Sequence, residues 1–193
     1  MFAFGILGLI IPLFVIGAII YLVMRRRNDK EGITAYQALM AYFYTMISAS
    51  IITAAIGAGC LLTSAFSSAY NDRPIANDVT LGVTLLVTGA VICLLHVFGK
   101  KALEAKEGKA TSLLKRVYLF FMLSIFSVGG LVSLPLAIYE TARYYVQHSG
   151  EYMYWNDPSG QIAAAVVIVP LWVYYLMRVM RETRAAKKEE ASG

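Results

Sequence analysis

Five apolar blocks, each long enough to cross a lipid bilayer, alternate with short polar stretches along this chain. They run from Phe2 to Met24, within Ala35 to Phe66, from about Val79 to Phe98, from about Val117 to Tyr145 and from about Ile162 to Met177. A helical crossing needs about 20 apolar residues. The blocks lack the strict alternation of a membrane barrel strand, and a helix satisfies its own backbone in lipid. The pattern therefore predicts an all-α fold: an integral membrane bundle of five transmembrane helices.

Charge gives these spans a direction. Arg25, Arg26, Arg27 and Lys30 follow span one. Lys100, Lys101, Lys106, Lys109, Lys115 and Arg116 lie between spans three and four, and Arg178, Arg181, Arg184, Lys187 and Lys188 follow span five. Only Arg73 and Arg143 fall on the other side. Basic residues mark the cytoplasmic loops, so five alternating spans put the N-terminus outside and the C-terminus in the cytoplasm, here of a bacterial inner membrane. No basic residue precedes Phe2, whereas a secretory signal begins with one; span one reads as an uncleaved anchor. Composition agrees: 59% of the 193 residues are hydrophobic and 15% are charged, against about 25% charged in soluble domains. The net charge of +5 follows from insertion topology and calls for no nucleic acid. Cys60 and Cys93 both sit in apolar runs and read as small hydrophobes.

The last four spans repeat. With a shift of 76 residues, Tyr42 meets Tyr118, Met46 meets Met122, Ser48 meets Ser124, Thr53 meets Gly129 and Gly57 meets Ser133. Past the outer loops the shift is 79, and Asn77-Asp78 meets Asn156-Asp157. The expected organisation is an anchor and basic loop (1–33), a first helical hairpin (34–110), a second hairpin of the same polarity (111–184) and a charged tail (185–193).

A Tyr-rich entry, a small-residue span, a short outer loop and an apolar span ending near "LLHVFGKKA" resemble an uncharacterised bacterial membrane domain of two-helix units that occur in tandem. The resemblance covers roughly residues 36 to 184 and implies no known chemistry. In its second copy Tyr175 stands where His96 stands in the first.

The Asn-Asp pairs fit helix starts at the outer interface. Asp157 before Pro158 reads as an N-cap with proline at the first helical position, and Asp78 as the cap of span three. A divalent cation held by both pairs is the rival reading, but the spacing is not that of an EF-hand. Thr34 to Gln37 fits a capping box for span two. Small residues at four-residue spacing let helices approach closely in lipid. Thr53 and Gly57 in span two, with Gly129 and Ser133 in span four, are expected to form a crossing between those spans or a seam to a partner; Ala55 and Gly59 form a further set. Pro135 and Pro170 are expected to kink spans four and five. The tyrosines near residues 36–44 and 144–154, with Trp155, read as aromatic belts.

Ionisable residues within spans are the usual mark of membrane chemistry. Glu140 and Arg143, near the outer end of span four, read as a pair along the helix. His96 is the one histidine inside a span. It is the single candidate for cofactor binding, a haem iron or a quinone headgroup, while His148 lies across the membrane and cannot join it at one haem. Zinc, phosphate-loop and serine-hydrolase motifs are missing from the sequence, and no catalytic or metal-ligating set is expected. The reading that follows is a non-catalytic accessory or structural subunit, packed against other membrane subunits in the lipid bilayer. A small transporter or channel and a quinone- or lipid-binding protein are its alternatives.

Overall fold

A computed structural model describes residues 35–71, 76–107, 112–147 and 158–192 of the chain. Four helices make up these segments: α1 (Ala35–Asn71), α2 (Ala76–Glu107), α3 (Ser112–Gln147) and α4 (Ser159–Ser192). They are spans two to five of the sequence reading. Span one, Phe2 to Met24, lies outside the described residues, as do Thr34 and Asp157. No strand occurs among the described residues. All four helices are long and apolar enough to cross a membrane, so the chain is a multi-pass helical membrane protein.

The helices are longer than the spans they contain. The 37 residues of α1 extend for about 55 Å at 1.5 Å per residue, well past a hydrocarbon core of about 30 Å. α4 continues through the charged stretch to Ser192, where the sequence suggests a separate tail. Helical assignment also runs unbroken through Pro135 and Pro170. Each proline lacks an N–H, so Leu131 and Val166 lose the helix bond their carbonyls would otherwise accept.

Many of the hydroxyl residues inside these apolar helices serve their own backbone. Thr45, Ser48, Ser50, Thr53 and Thr63 donate to the carbonyl four residues back. Thr84, Ser124, Thr141 and Thr183 do the same. A polar side chain in lipid thereby avoids the cost of an unmade bond.

The helices form two antiparallel hairpins. Going up α1, Phe43, Ala54 and Gly57 lie against Gly99, Gly89 and Leu86 in descending order on α2. In the other hairpin, Lys115, Tyr118 and Gly129 face Glu182, Tyr175 and Ile168. α1 is the hub: it packs against α2 along its length, against α4, and more lightly against α3. Met40 packs with Leu114, and Tyr44 with Tyr118, so α1 and α3 run parallel. α2 makes no comparable interface with α3 or α4. The core is strongest toward the start of α1, where Leu119, Met122, Phe126, Tyr175 and Val179 form one cluster, and Met40, Tyr44 and Leu114 form a second. The same end carries Lys100, Lys115 and Arg178.

The small residues pack differently from the sequence expectation. Gly57 faces α2, not α3. A Cβ there would fall inside contact distance of the Leu86 backbone nitrogen and 2.8 Å from the Gly82 carbonyl oxygen. Gly89 is as tight, 2.7 Å from the Ala54 nitrogen. Gly129 faces Ile168 of α4. Each glycine thus closes its own hairpin, and the crossing expected between spans two and four is made instead by larger side chains. The spacing of small residues says that a backbone can come close, but not which one. Gly59 has open space beyond it.

Candidate functional site

Polar side chains meet between helices at the basic end of the bundle. In the first hairpin, the Tyr42 hydroxyl lies 3.2 Å from His96 Nε2. His96 Nδ1 is 2.7 Å from the Ile92 carbonyl oxygen one turn back on α2. A carbonyl only accepts, so Nδ1 carries a proton; in the neutral ring Nε2 then accepts from Tyr42. The imidazole is bracketed by the Tyr42 ring, centroids 5.6 Å apart, and the edge of Phe43 at 6.1 Å. Gly99 makes room for Phe43: a Cβ there would lie 2.8 Å from its ring.

The second hairpin carries a matching bond. The Tyr118 and Tyr175 hydroxyls are 3.0 Å apart. Tyr175 stacks on Phe126, 5.6 Å between centroids and 13° between planes. The two bonds differ in their surroundings. Tyr175 is only 3% exposed, while Tyr42 is 50% exposed and His96 partly so. Tyr44 of α1 covers Tyr118, with centroids 5.0 Å apart, and nothing in the described residues plays that part for Tyr42.

Charged residues rim this layer. Lys100 Nζ donates to the Tyr44 hydroxyl at 3.4 Å, sits 4.7 Å above the same ring and lies 3.7 Å from Glu104. Lys115 pairs with Glu182 across α3 and α4, and the Arg178 guanidinium lies 5.5 Å from the Tyr174 ring. Cation and aromatic ring attract most where water is scarce.

The far end has polar contacts of its own. Ser67 and Ser159 hydroxyls are 2.8 Å apart between α1 and α4. The Pro158 carbonyl accepts the Ile162 N–H at 3.0 Å at the start of α4, while Asp157 lies outside the described residues. α2 starts at Ala76, which puts Asp78 within its first turn. Arg143 reaches Glu140 at 4.0 Å, the pair expected from the sequence. Thr53 bonds its own helix, and the buried Ser133 hydroxyl has no partner, as is true of Ser64.

The sequence-selected residues therefore divide. His96 sits in the polar layer, Gly57 and Gly129 line helix contacts, Asp78 belongs to the opposite end, and Asp157 lies outside the described residues. Sequence reasoning aligned Tyr42 with Tyr118 and His96 with Tyr175, but it did not see that each residue bonds the other helix of its hairpin. It also missed Gly82 and Gly89, seven residues apart on one face of α2, and the Lys115–Glu182 pair. For His96 to bind a metal through Nε2 it would have to release Tyr42. No group of three or more His, Cys, Asp or Glu stands within reach of a common metal ion among the described residues.

A family model described as Domain of unknown function (DUF5671) matches residues 40–151, more than half of the chain. The match runs as one block from α1 to just beyond α3. Comparison with curated proteins and with solved structures gave no match.

Proposed function

The chain belongs to the DUF5671 family, and we propose that it is a non-catalytic accessory subunit of a bacterial inner-membrane complex, built from a tandem pair of helical hairpins. One observation carries this reading. The first hairpin leaves Tyr42 exposed and Met46 and His96 partly so, whereas their counterparts Tyr118, Met122 and Tyr175 in the second hairpin are packed beneath α1. A surface of aromatic and hydrogen-bonding side chains suits a protein partner more than lipid tails. The tandem reading draws support from the two inter-helix bonds, Tyr42–His96 and Tyr118–Tyr175, which fall at the shifts of 76 and 79 residues that align the two halves. Solubilisation in a mild detergent, followed by identification of what co-purifies, tests the proposal. A lone monodisperse monomer would overturn it.

Threading follows from the shared basic end, with that end cytoplasmic. Cysteine labelling from each side tests it, since residues 73 and 106 should be reached from opposite compartments.

A second reading rests on the Tyr42–His96 pair itself. A phenol and an imidazole at a half-exposed site could hold a lipid or quinone headgroup. Native mass spectrometry that retained one small molecule per chain, lost in Tyr42→Phe/His96→Leu, would favour it. Soret absorbance of the purified protein would point to haem instead.

A further inference from the structure

The contact between the two hairpins uses one face of each, and the equivalent faces are left over. The first hairpin gives Tyr44 and Ile51 of α1. The second receives them with Tyr118, Leu119, Met122 and Tyr175. The receiving face is largely closed: Met122 is 0% exposed, Leu119 and Tyr175 are buried, and Tyr118 is partly so. Shifting by 76 residues carries the giving face onto Phe120 and Ser127 of α3, and Phe120 is 54% exposed. The reverse shifts carry the receiving face onto Tyr42, Phe43, Met46 and His96 of the first hairpin, where Tyr42 is exposed, Met46 and His96 are partly so, and Phe43 packs at Gly99 of α2. One ring pair survives the exchange, while Ile51 gives way to Ser127. Tyr44 lies on Tyr118 inside the chain; the unmatched pair is Phe120 with Tyr42, again aromatic on aromatic. Ser48 and Ser124, one turn beyond Tyr44 and Phe120, both bond their own helix and leave their faces free of an unmade bond.

A two-fold arrangement of the hairpins would use both pairs of faces within one chain. It would require α2 to pack on α3 as α4 packs on α1, and α2 makes no such interface. The contact is therefore head-to-tail, and a head-to-tail contact leaves one half free at each end, which further copies can satisfy.

We propose that a second copy of this chain docks in the membrane by placing the Phe120 face of its α3 on the Tyr42–Met46–His96 face of the first, repeating the hairpin-on-hairpin contact inside each chain. The inference rests on the tandem reading given above and names the partner of the same open surface. The apolar segment 2–24 could cover one of the two faces, but it would leave the other bare; a second copy covers both kinds at once.

Disulfide trapping in native membranes tests this with the full chain. In a background with Cys60 and Cys93 changed to Ala, Tyr42→Cys and Phe120→Cys are placed on separate chains with different tags. Oxidation should give a mixed-tag dimer, several-fold more abundant than either same-tag dimer. Ser67→Cys/Ser159→Cys, at the 2.8 Å hydroxyl contact, should bridge within one chain and reports on the fold. Phe120→Ala, at an exposed position, should keep that internal bridge and lower the oligomeric fraction several-fold in lipid nanodiscs. If the internal bridge forms but no mixed dimer does, lipid faces these surfaces; the docking is overturned and the tandem fold stands. Trapping of residue 42 by a cysteine within 2–24 of its own chain also overturns it, with the anchor as the occupant. Loss of the internal bridge in an otherwise wild-type chain would remove the hairpin contact, and the docking together with the tandem reading.

Discussion

The two hairpins reach the same antiparallel geometry by opposite means. In the first, glycines at 57, 82 and 89 let α1 and α2 meet backbone to backbone, with no space for a Cβ. In the second, α3 and α4 are joined by rings, Phe126 on Tyr175 and Tyr118 against Tyr175. The comparison teaches that hairpin topology does not fix how the contact is made. Lipid tails are as apolar as the side chains they replace, so close packing and hydrogen bonds must bring helices together. Close backbone approach and large interlocking rings both meet that need. They differ in what damages them.

The largest effect is expected from Gly57→Leu. Its side chain meets backbone on α2, which cannot turn aside, so the loss should be about 3 kcal/mol or more. Ser133→Leu, at the aligned position of the second hairpin, should cost less, about 1–2 kcal/mol, because that site already holds a side chain. Thermal unfolding in micelles, followed by circular dichroism, would compare them; equal losses would show that the two contacts are alike.

Phe126→Ala comes next. It removes the ring stacked on Tyr175 and should cost about 2 kcal/mol, less than the ~3–5 of a soluble core because the separated helices are not exposed to water. Limited proteolysis should find the α3–α4 half loosened while α1–α2 holds together.

The inter-helix hydrogen bonds should matter less. Tyr118→Phe is expected to cost about 1 kcal/mol and Tyr42→Phe under about 0.5, since membrane side-chain bonds average about 0.6 kcal/mol and Tyr42 is half exposed. Denaturant titration of both in one lipid background checks the order. The reverse order would mean that the outer bond is the structural one. Gly129→Ala closes the series, with a change within about 0.5 kcal/mol either way. Its Cβ would meet only the Ile168 side chain, Cγ2 at 3.3 Å and Cδ1 at 3.4 Å, which has to give by no more than a few tenths of an ångström.

The helices themselves were legible in the sequence because length and apolarity are local properties: spans two to five fall within α1 to α4. The residues that join one helix to another were not. Gly57 carries the same four-residue spacing whether its partner is α2 or α3, and what settles the matter is the facing row of Gly82 and Gly89, seven residues apart and outside the pattern sought. For the candidate site, sliding the sequence on itself put Tyr42 with Tyr118 and His96 with Tyr175. It could not say that these residues bond across their hairpins, because a hydrogen bond between tyrosine and histidine leaves no trace in hydropathy. The start of α4 falls at Pro158, whose carbonyl accepts the Ile162 N–H, beside the Asp-Pro pair that marks it in the sequence.

One feature of the helices bears on how such a chain is made. In every helix some hydroxyls, those of Thr45, Thr63, Thr84, Ser124 and Thr183 among them, are already bonded to the turn behind them. A segment leaving the translocon therefore needs no neighbour to shield those groups, and it can enter the bilayer as soon as its length is complete. Assembly can then wait, with the first hairpin zipping along its glycines while the ribosome is still synthesising the second.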